Sequence, residues 1–460
     1  MPDAAAERTL HIAIVGAGPS GFYAAEALLR SERPVTIDLI ERLPTPYGLV
    51  RGGVAPDHQK TKGIAAALAR IAAAPNVRFF GNAKVGVDIG IDELRRRCDA
   101  VVLACGADQS VRLGVAGEDL DGVHGSAEFV GWYNAHPDHQ ALEVDLACDR
   151  ALVVGHGNVA LDVCRILASP VERLASTDIA GHALRALARS RIAEIHVIGR
   201  RGPAQASFTT AELRELGTLP GWDVVVDASE LELSAVSQAE LESPGGNVRR
   251  NNLAVLREFS TRPRRHARHI RIGFGAAPLA FEGDERVQGA RIGRFRLDGA
   301  PHRQVAVHDG SHIDRPCGLV VTCVGYRGHG LEGVPFDARR GVFPNESGRL
   351  VEGGKTVPGM YVAGWVKRGA SGVIGTNRAD SAATIDSMLE DWPALCAQPP
   401  VSRDAVAELL DARGVRVVSL EDWLRIDARE VDAGRKAGKP RDKLATIDAL
   451  LAAAGAPVAS

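Results

Sequence analysis

Leu10-His11-Ile12-Ala13-Ile14-Val15-Gly16-Ala17-Gly18-Pro19-Ser20-Gly21 is the stretch that decides the fold. A short apolar run enters a glycine-rich turn. Phe22 to Arg30 then reads as a helix, with Ala24, Ala25, Ala27, Leu28 and Leu29 on its apolar side. Strand, G-x-G-x-x-G and helix in that order form the pattern of a dinucleotide-binding unit. Gly16 makes the tight turn, Gly18 lets the backbone approach a pyrophosphate, and Gly21 lets the helix pack close to the strand. The helix N-terminus presents N–H groups and a partial positive charge to phosphate. An acid at the end of the next strand is the independent check. Val35 to Ile40 reads as that strand and Glu41 ends it, 25 residues after Gly16, close to the usual ~20. A carboxylate there accepts hydrogen bonds from ribose hydroxyls and repels a 2′-phosphate. This unit therefore favours FAD or NAD over NADP.

The pattern occurs a second time. Ala151 to Val154 leads into Gly155-His156-Gly157-Asn158-Val159-Ala160 and then a helical run from Leu161 to Leu167. Alanine in the third position still allows close packing. Two such turns imply two nucleotides, one held and one exchanging. The partner strand, Ile192 to Gly199, ends not in an acid but in Arg200-Arg201-Gly202. Guanidinium groups match a phosphate bidentately, so the second nucleotide is expected to be NADP(H). Arg200 follows Gly155 by 45 residues. Pro170 to Ser190 accounts for the excess as a helical insertion, with Ile179, Ala183, Leu184 and Leu187 as its apolar stripe.

A third glycine-rich segment lies near the C-terminus. Met360 to Gly364 reads as a short strand, Trp365 follows, and Gly369-Ala370-Ser371-Gly372-Val373-Ile374-Gly375 precedes a helix from about Arg378 to Leu389. The backbone of Gly372, Val373 and Ile374 can approach a flavin edge. The helix dipole there suits negative charge on a reduced ring.

The bulk numbers agree with an ordinary globular chain. It has 460 residues, 45% hydrophobic and 24% charged, with a formal net charge of −2. That length suits two or three domains of ~150 residues. The charge balance points to neither nucleic acid nor an anionic membrane. No run reaches the ~18 apolar residues of a membrane span, and no secretory signal is read at the start. The seven cysteines have no C-x-x-C or metal-ligand spacing, as expected of reduced cysteines in a cytoplasmic protein. No metal site is expected.

These residues resemble the adrenodoxin reductase-type ferredoxin–NADP⁺ reductases. The likeness runs through Gly16 to Tyr23, Glu41-Arg42-Leu43-Pro44-Thr45-Pro46-Tyr47-Gly48-Leu49-Val50-Arg51 and Gly53 to His58. It continues with Gly155 to Asp162, Arg200 to Gly202, Gln205, Phe208-Thr209, Glu212 to Glu215, Gly364-Trp365 and Gly372 to Thr376. It implies an α/β fold of two Rossmann-like domains, the NADP domain inserted in the FAD domain. It also implies hydride transfer from NADPH to FAD and single-electron transfer to an iron–sulfur ferredoxin. The sequence does not name the enzyme downstream of that ferredoxin, for which a cytochrome P450 is a candidate. By the resemblance, Ser20, Glu41, Leu49, Val85, Trp365 and Gly372 to Ile374 line the FAD site. His156, Gly157, Asn158 and Val159 hold the NADP pyrophosphate. Arg200, Arg201 and Glu212 surround the 2′-phosphate end, with Gly372 near the nicotinamide. His58 and Glu215 match a His/Glu pair that tunes the flavin site. From the residues alone, both a catalytic and a structural role are open to that pair.

The expected division is 1–108 and 323–460 for the FAD domain and 109–322 for the NADP domain. Gly318 to Tyr326 is expected to return the chain as a strand of the FAD domain, and a helical tail ends the chain. Arg249 to Arg271 contains eight arginines and one acid, Glu258. This is either a docking face for an acidic ferredoxin or a solvated edge. Other readings are a disulfide reductase, which needs a cysteine pair near Glu41, a flavin monooxygenase, and a non-catalytic redox sensor. The sequence leaves the oligomeric state open.

Overall fold

The computed structural model describes residues 8–455. They form a mixed α/β fold with Rossmann-type dinucleotide-binding sheets in two compact units. Of the described residues, 8–109, 134–138 and 326–455 form one unit, and 110–133 and 139–325 the other.

The first unit is built on a seven-stranded sheet. Its order is Asn345–Glu346, Arg349–Glu352, Lys355–Val362, Ala100–Leu103, Leu10–Val15, Val35–Ile40 and Val77–Phe80. The last five run parallel, and the first two are added antiparallel. Parallel strands are covered on both faces, so Leu10–Val15 is buried along its whole length. The helix Pro19–Arg30 packs with Phe22, Ala25 and Leu28 inward. The last of the three glycine-rich segments leads into the helix Thr376–Glu390, which starts earlier than expected, and its preceding strand extends back to Lys355. The helical tail belongs to this core. Ala405–Ala412, Leu420–Lys436 and Ile447–Ala454 bury Val406, Leu410, Trp423, Ile426 and Leu450. Ser419 and Asp422 form a capping box that starts the middle helix.

The second unit has a six-stranded parallel sheet in the order Val123–Gly125, Leu319–Thr322, Arg150–Val154, Glu194–Gly199, Arg268–Phe274 and Trp222–Val226. The expected helical insertion forms two short helices, Val171–Ala175 and Gly181–Leu187. Ile179, Ala183 and Leu187 are buried, whereas Leu184 is only partly so. A three-stranded antiparallel sheet, Ala276–Glu282, Gly289–Asp298 and Val305–Pro316, completes the unit. Its outer strand is bowed. Gly293 pairs with His312 and Phe295 with His308, leaving Asp309, Gly310 and Ser311 as a bulge. The Asp309 carboxylate accepts from the Ser311 N–H at 2.8 Å, and Gly310 has φ +93°.

One expectation is overturned. Leu319–Thr322 is a strand of the second unit's sheet, not the first's, paired in register with Ala151–Val154. The reason is burial. Leu319, Val320 and Val321 are fully buried beside the strand that carries the second glycine turn. The chain re-enters the first unit only at Tyr326.

Candidate functional site

In the first unit, Gly16 has φ +108°, and a Cβ there would lie 2.5 Å from the Ala104 carbonyl oxygen. A Cβ on Gly21 would lie 2.0 Å from the Gly16 oxygen. Neither position tolerates a side chain. Gly18 is open on the same measure, with only the Gly48 Cα at 3.9 Å. It stands before the helix Pro19–Arg30, whose first turn has no side-chain cap. The turn is thus stripped to backbone where a pyrophosphate would approach. Glu41 is oriented by the turn itself, because the Ala17 and Leu43 N–H groups donate to its two carboxylate oxygens at 3.0 and 3.1 Å. Burial raises its pKa, and those two N–H groups oppose the shift. A carboxylate has about four acceptor positions, so two bonds leave capacity for ribose hydroxyls.

The return segment lies against this turn. A Cβ on Gly364 would meet the Ser20 Oγ at 2.1 Å, and Ser381 Oγ donates to the Ser20 carbonyl at 3.0 Å. Asp380 accepts from the Gly364 N–H at 2.6 Å. Trp365 stacks on Tyr326 with centroids 5.9 Å apart. Gly372 has φ +82°, and the Thr376 hydroxyl accepts from the Val373 N–H at 3.2 Å. Val373 is 65% exposed and Ile374 packs on the core. Leu49 is exposed at the start of a helical turn, and Val85 is buried. His58 is half-buried before the turn Gln59–Lys62.

The second unit repeats the geometry with different chemistry. Gly155 has φ +136°, and a Cβ there would lie 2.2 Å from the Cys323 carbonyl oxygen. Gly157 precedes the helix Asn158–Ala168, again without a side-chain cap. The Asn158 side-chain oxygen accepts from the Thr209 N–H at 2.8 Å, and Val159 is partly buried in the first turn. The imidazole of His156 packs on Gly199 and on Phe274, with centroids 4.7 Å apart. Burial pushes its pKa down to about 4, so the ring is neutral at pH 7. Its carbonyl accepts from the Ser207 and Phe208 N–H groups at 2.8 and 3.0 Å. Arg200 and Arg201, just past the strand Glu194–Gly199, are both exposed.

Glu212 and Glu215 share one face of the helix Thr210–Leu216. Between that helix and Asn158–Ala168 lies Arg165, a residue the sequence reading passed over. Its side chain is fully buried, 2.7 Å from Asp162, 3.1 Å from Glu212 and 3.9 Å from Glu215. An arginine set among the apolar residues Val163, Cys164, Ile166 and Leu167 is the available signal, since a buried guanidinium requires carboxylate partners. His58 belongs to the first unit and Glu215 to the second.

Residues 10–201 match the model of the pyridine nucleotide-disulphide oxidoreductase family. NADPH-ferredoxin reductase FprA of Mycobacterium tuberculosis is 44% identical over 457 residues, covering 96% of this chain and 99% of the relative. The human mitochondrial NADPH:adrenodoxin oxidoreductase is 41% identical over 452 residues, covering 95% and 90%. The structure of Mycobacterium tuberculosis FprA in complex with NADPH superposes with a TM-score of 0.92 at 43% identity, covering 97% of this chain and 100% of that one. This chain belongs to the adrenodoxin reductase-type family. Like any adrenodoxin reductase-type chain, it is an oxidoreductase with two dinucleotide-binding sites. The disulfide in the broader family's description has no counterpart in this adrenodoxin reductase-type member. None of the seven cysteines is in a disulfide, and the first of them, Cys98, comes long after Glu41.

Proposed function

We propose that the chain is an FAD-dependent NADPH–ferredoxin reductase. The observation that carries this reading is the contrast between two otherwise alike cradles. Glu41 closes one, and the exposed Arg200 and Arg201 close the other. The residues fit the groups assigned to them, since each first glycine lies against a carbonyl where no Cβ fits. The unit of residues 8–109, 134–138 and 326–455 takes FAD, and the unit of 110–133 and 139–325 takes NADP(H). Once held there, FAD would supply the chemistry of two-electron hydride acceptance and one-electron release.

The chain's own residues bind and orient. Gly16, Gly18, Ser20 and Gly21 pass the FAD pyrophosphate along bare backbone, Glu41 takes the ribose hydroxyls, and Leu49, Val85 and Trp365 flank the cofactor. The backbone of Gly372, Val373 and Ile374 borders its ring. In the other unit, Gly155, His156, Gly157, Asn158 and Val159 hold the NADP pyrophosphate. Arg200 and Arg201 fork the 2′-phosphate, and Glu212, anchored by Arg165, borders that end. His58 and Glu215 tune the flavin environment and are not needed to move the hydride.

The electron acceptor is an acidic iron–sulfur ferredoxin. Arginines of the helix Asn247–Thr261 and the segment after it form its docking face. Arg250, Arg257, Arg262, Arg264, Arg265 and Arg268 are all exposed. A cytoplasmic location and a cytochrome P450 further downstream complete the proposal. Among the described residues, no helix is long and apolar enough to cross a membrane. The test is to purify the chain, confirm a flavin spectrum, and measure NADPH oxidation with and without a ferredoxin coupled to cytochrome c. A preparation that cannot be loaded with flavin, or NADPH oxidation indifferent to ferredoxin, overturns the reading.

A further inference from the structure

Arg51 closes the segment Tyr47-Gly48-Leu49-Val50-Arg51. The backbone of that segment is strained. Tyr47 has φ +81° and Gly48 follows at φ +48°. A tyrosine in this region persists only where its surroundings over-determine it. The strain has a product. The Tyr47 N–H donates to the Ala17 carbonyl at 2.8 Å, and a Cβ on Gly48 would lie 3.0 Å from the Gly18 Cα. The segment therefore braces the glycine turn from outside.

The surroundings that impose the strain come from the far end of the chain. The Tyr47 ring meets Trp423 edge to face with centroids 5.7 Å apart, and meets Phe22 at 5.6 Å. The Arg51 guanidinium lies over Trp423 at 5.4 Å and donates two parallel bonds to Glu430, at 2.5 and 2.7 Å. Glu430 is 1% exposed and also accepts from the Leu444 N–H at 2.8 Å and from Arg441 at 3.1 Å. Burial opposes its charge, but Arg51, Arg441 and the Leu444 N–H together outweigh burial, and the carboxyl titrates below the usual range. Trp423 and Glu430 lie seven residues apart on one face of the helix Leu420–Lys436. A second tie, between Gly81 and Val418, holds the segment just before that helix with two backbone bonds of 2.8 Å.

We infer that Glu430 and Trp423 are positioning residues for the dinucleotide turn, acting through Arg51 and Tyr47 to hold Gly48 against Gly18. Neither belongs to the glycine turn itself. They fix the population of turn geometry able to accept it, and the apparent dissociation constant scales inversely with that population. The inference rests on the assignment of FAD to this unit.

The test compares FAD binding to the FAD-free wild type, Glu430→Gln and the milder Arg51→Lys, which keeps the charge but loses the bidentate fork. Flavin fluorescence reports FAD affinity, and thermal unfolding of the FAD-free proteins reports stability. NADPH affinity, measured on the same FAD-free proteins, reports the other unit. The expected result is FAD binding weakened roughly tenfold or more, from an equal fall in the competent population, with NADPH affinity unchanged. A lowered melting temperature with unchanged FAD affinity makes the cluster purely structural and overturns the inference. So does a parallel loss of NADPH affinity. If Glu430→Gln does not fold, Arg51→Lys decides by the same measurements. A wild type that takes up no FAD overturns the cofactor assignment itself. A wild type that binds FAD normally beside two indifferent variants overturns only the role given to Glu430 and Arg51.

Discussion

Gly155 stands so close to Cys323 that a Cβ on the glycine would lie 2.2 Å from the cysteine's carbonyl oxygen, just as Gly16 stands to Ala104 at 2.5 Å. Each contact joins a glycine turn to the exit of the neighbouring parallel strand, Leu319–Thr322 in one case and Ala100–Leu103 in the other. Gly155→Ala forces the two backbones apart. NADPH affinity is expected to collapse while the flavin spectrum of the loaded protein stays normal. Gly16→Ala is expected to do the reverse, leaving a chain that binds NADPH but purifies without flavin. Absorbance spectra and NADPH titrations check both.

Arg200 and Arg201 lie at the exposed end of their strand. If each charged hydrogen bond to a 2′-phosphate contributes roughly 1.5–3 kcal/mol, replacing both with Ala lowers the preference for NADPH over NADH ~100-fold or more. The ratio of kcat/KM for the two nucleotides measures it. An unchanged ratio removes the guanidinium pair from the specificity argument.

Acid destabilises the fold through two imidazoles. Burial pushes both His156 and His196 down to about 4, with Arg271 and Arg315 adding to the shift of His196. An unfolded histidine titrates near ~6.5, so between these values the unfolded chain binds more protons. The stability they contribute is fully present above pH ~6.5 and drains away as the pH falls toward 4, by up to about 3 kcal/mol each. His196→Gln is expected to flatten part of that decline in melting temperature between pH 7 and 4.

If the arginines from Arg249 to Arg271 steer an acidic ferredoxin, its reduction slows steeply with added salt. Ferricyanide reduction by the same preparation is expected to change little. Equal salt responses would detach the cluster from docking.

His58→Ala is expected to slow turnover modestly and leave FAD bound, because the cofactors carry the hydride chemistry. Complete loss of activity in a flavin-replete variant would make His58 indispensable.

The glycine turns and the residues that close them were legible in the chain because they are local. A turn, a helix start and the end of the next strand lie within a few dozen residues, and their spacing is set by backbone geometry. Leu319–Thr322 was misplaced because an apolar strand carries no mark of the sheet it joins. Its partner, Ala151–Val154, lies far away in the sequence. Arg165 escapes notice because its immediate neighbours Val163, Cys164, Ile166 and Leu167 are apolar, and its meaning depends on Glu212 and Glu215 arriving from another helix. The tail was read as helical, yet nothing in its pattern says that Glu430 reaches back to Arg51. That contact spans 379 positions.

The bow in Val305–Pro316 bears on how crowded molecules treat one another. A straight outer ribbon of that length would offer a neighbour an unbroken ladder of donors and acceptors. Asp309-Gly310-Ser311 interrupts the ladder near its middle and turns its own amide inward onto the Asp309 carboxylate. What is left on either side is shorter than the roughly six or seven residues of a segment that zips into a fibre, so this edge is a poor template for a second copy of the chain.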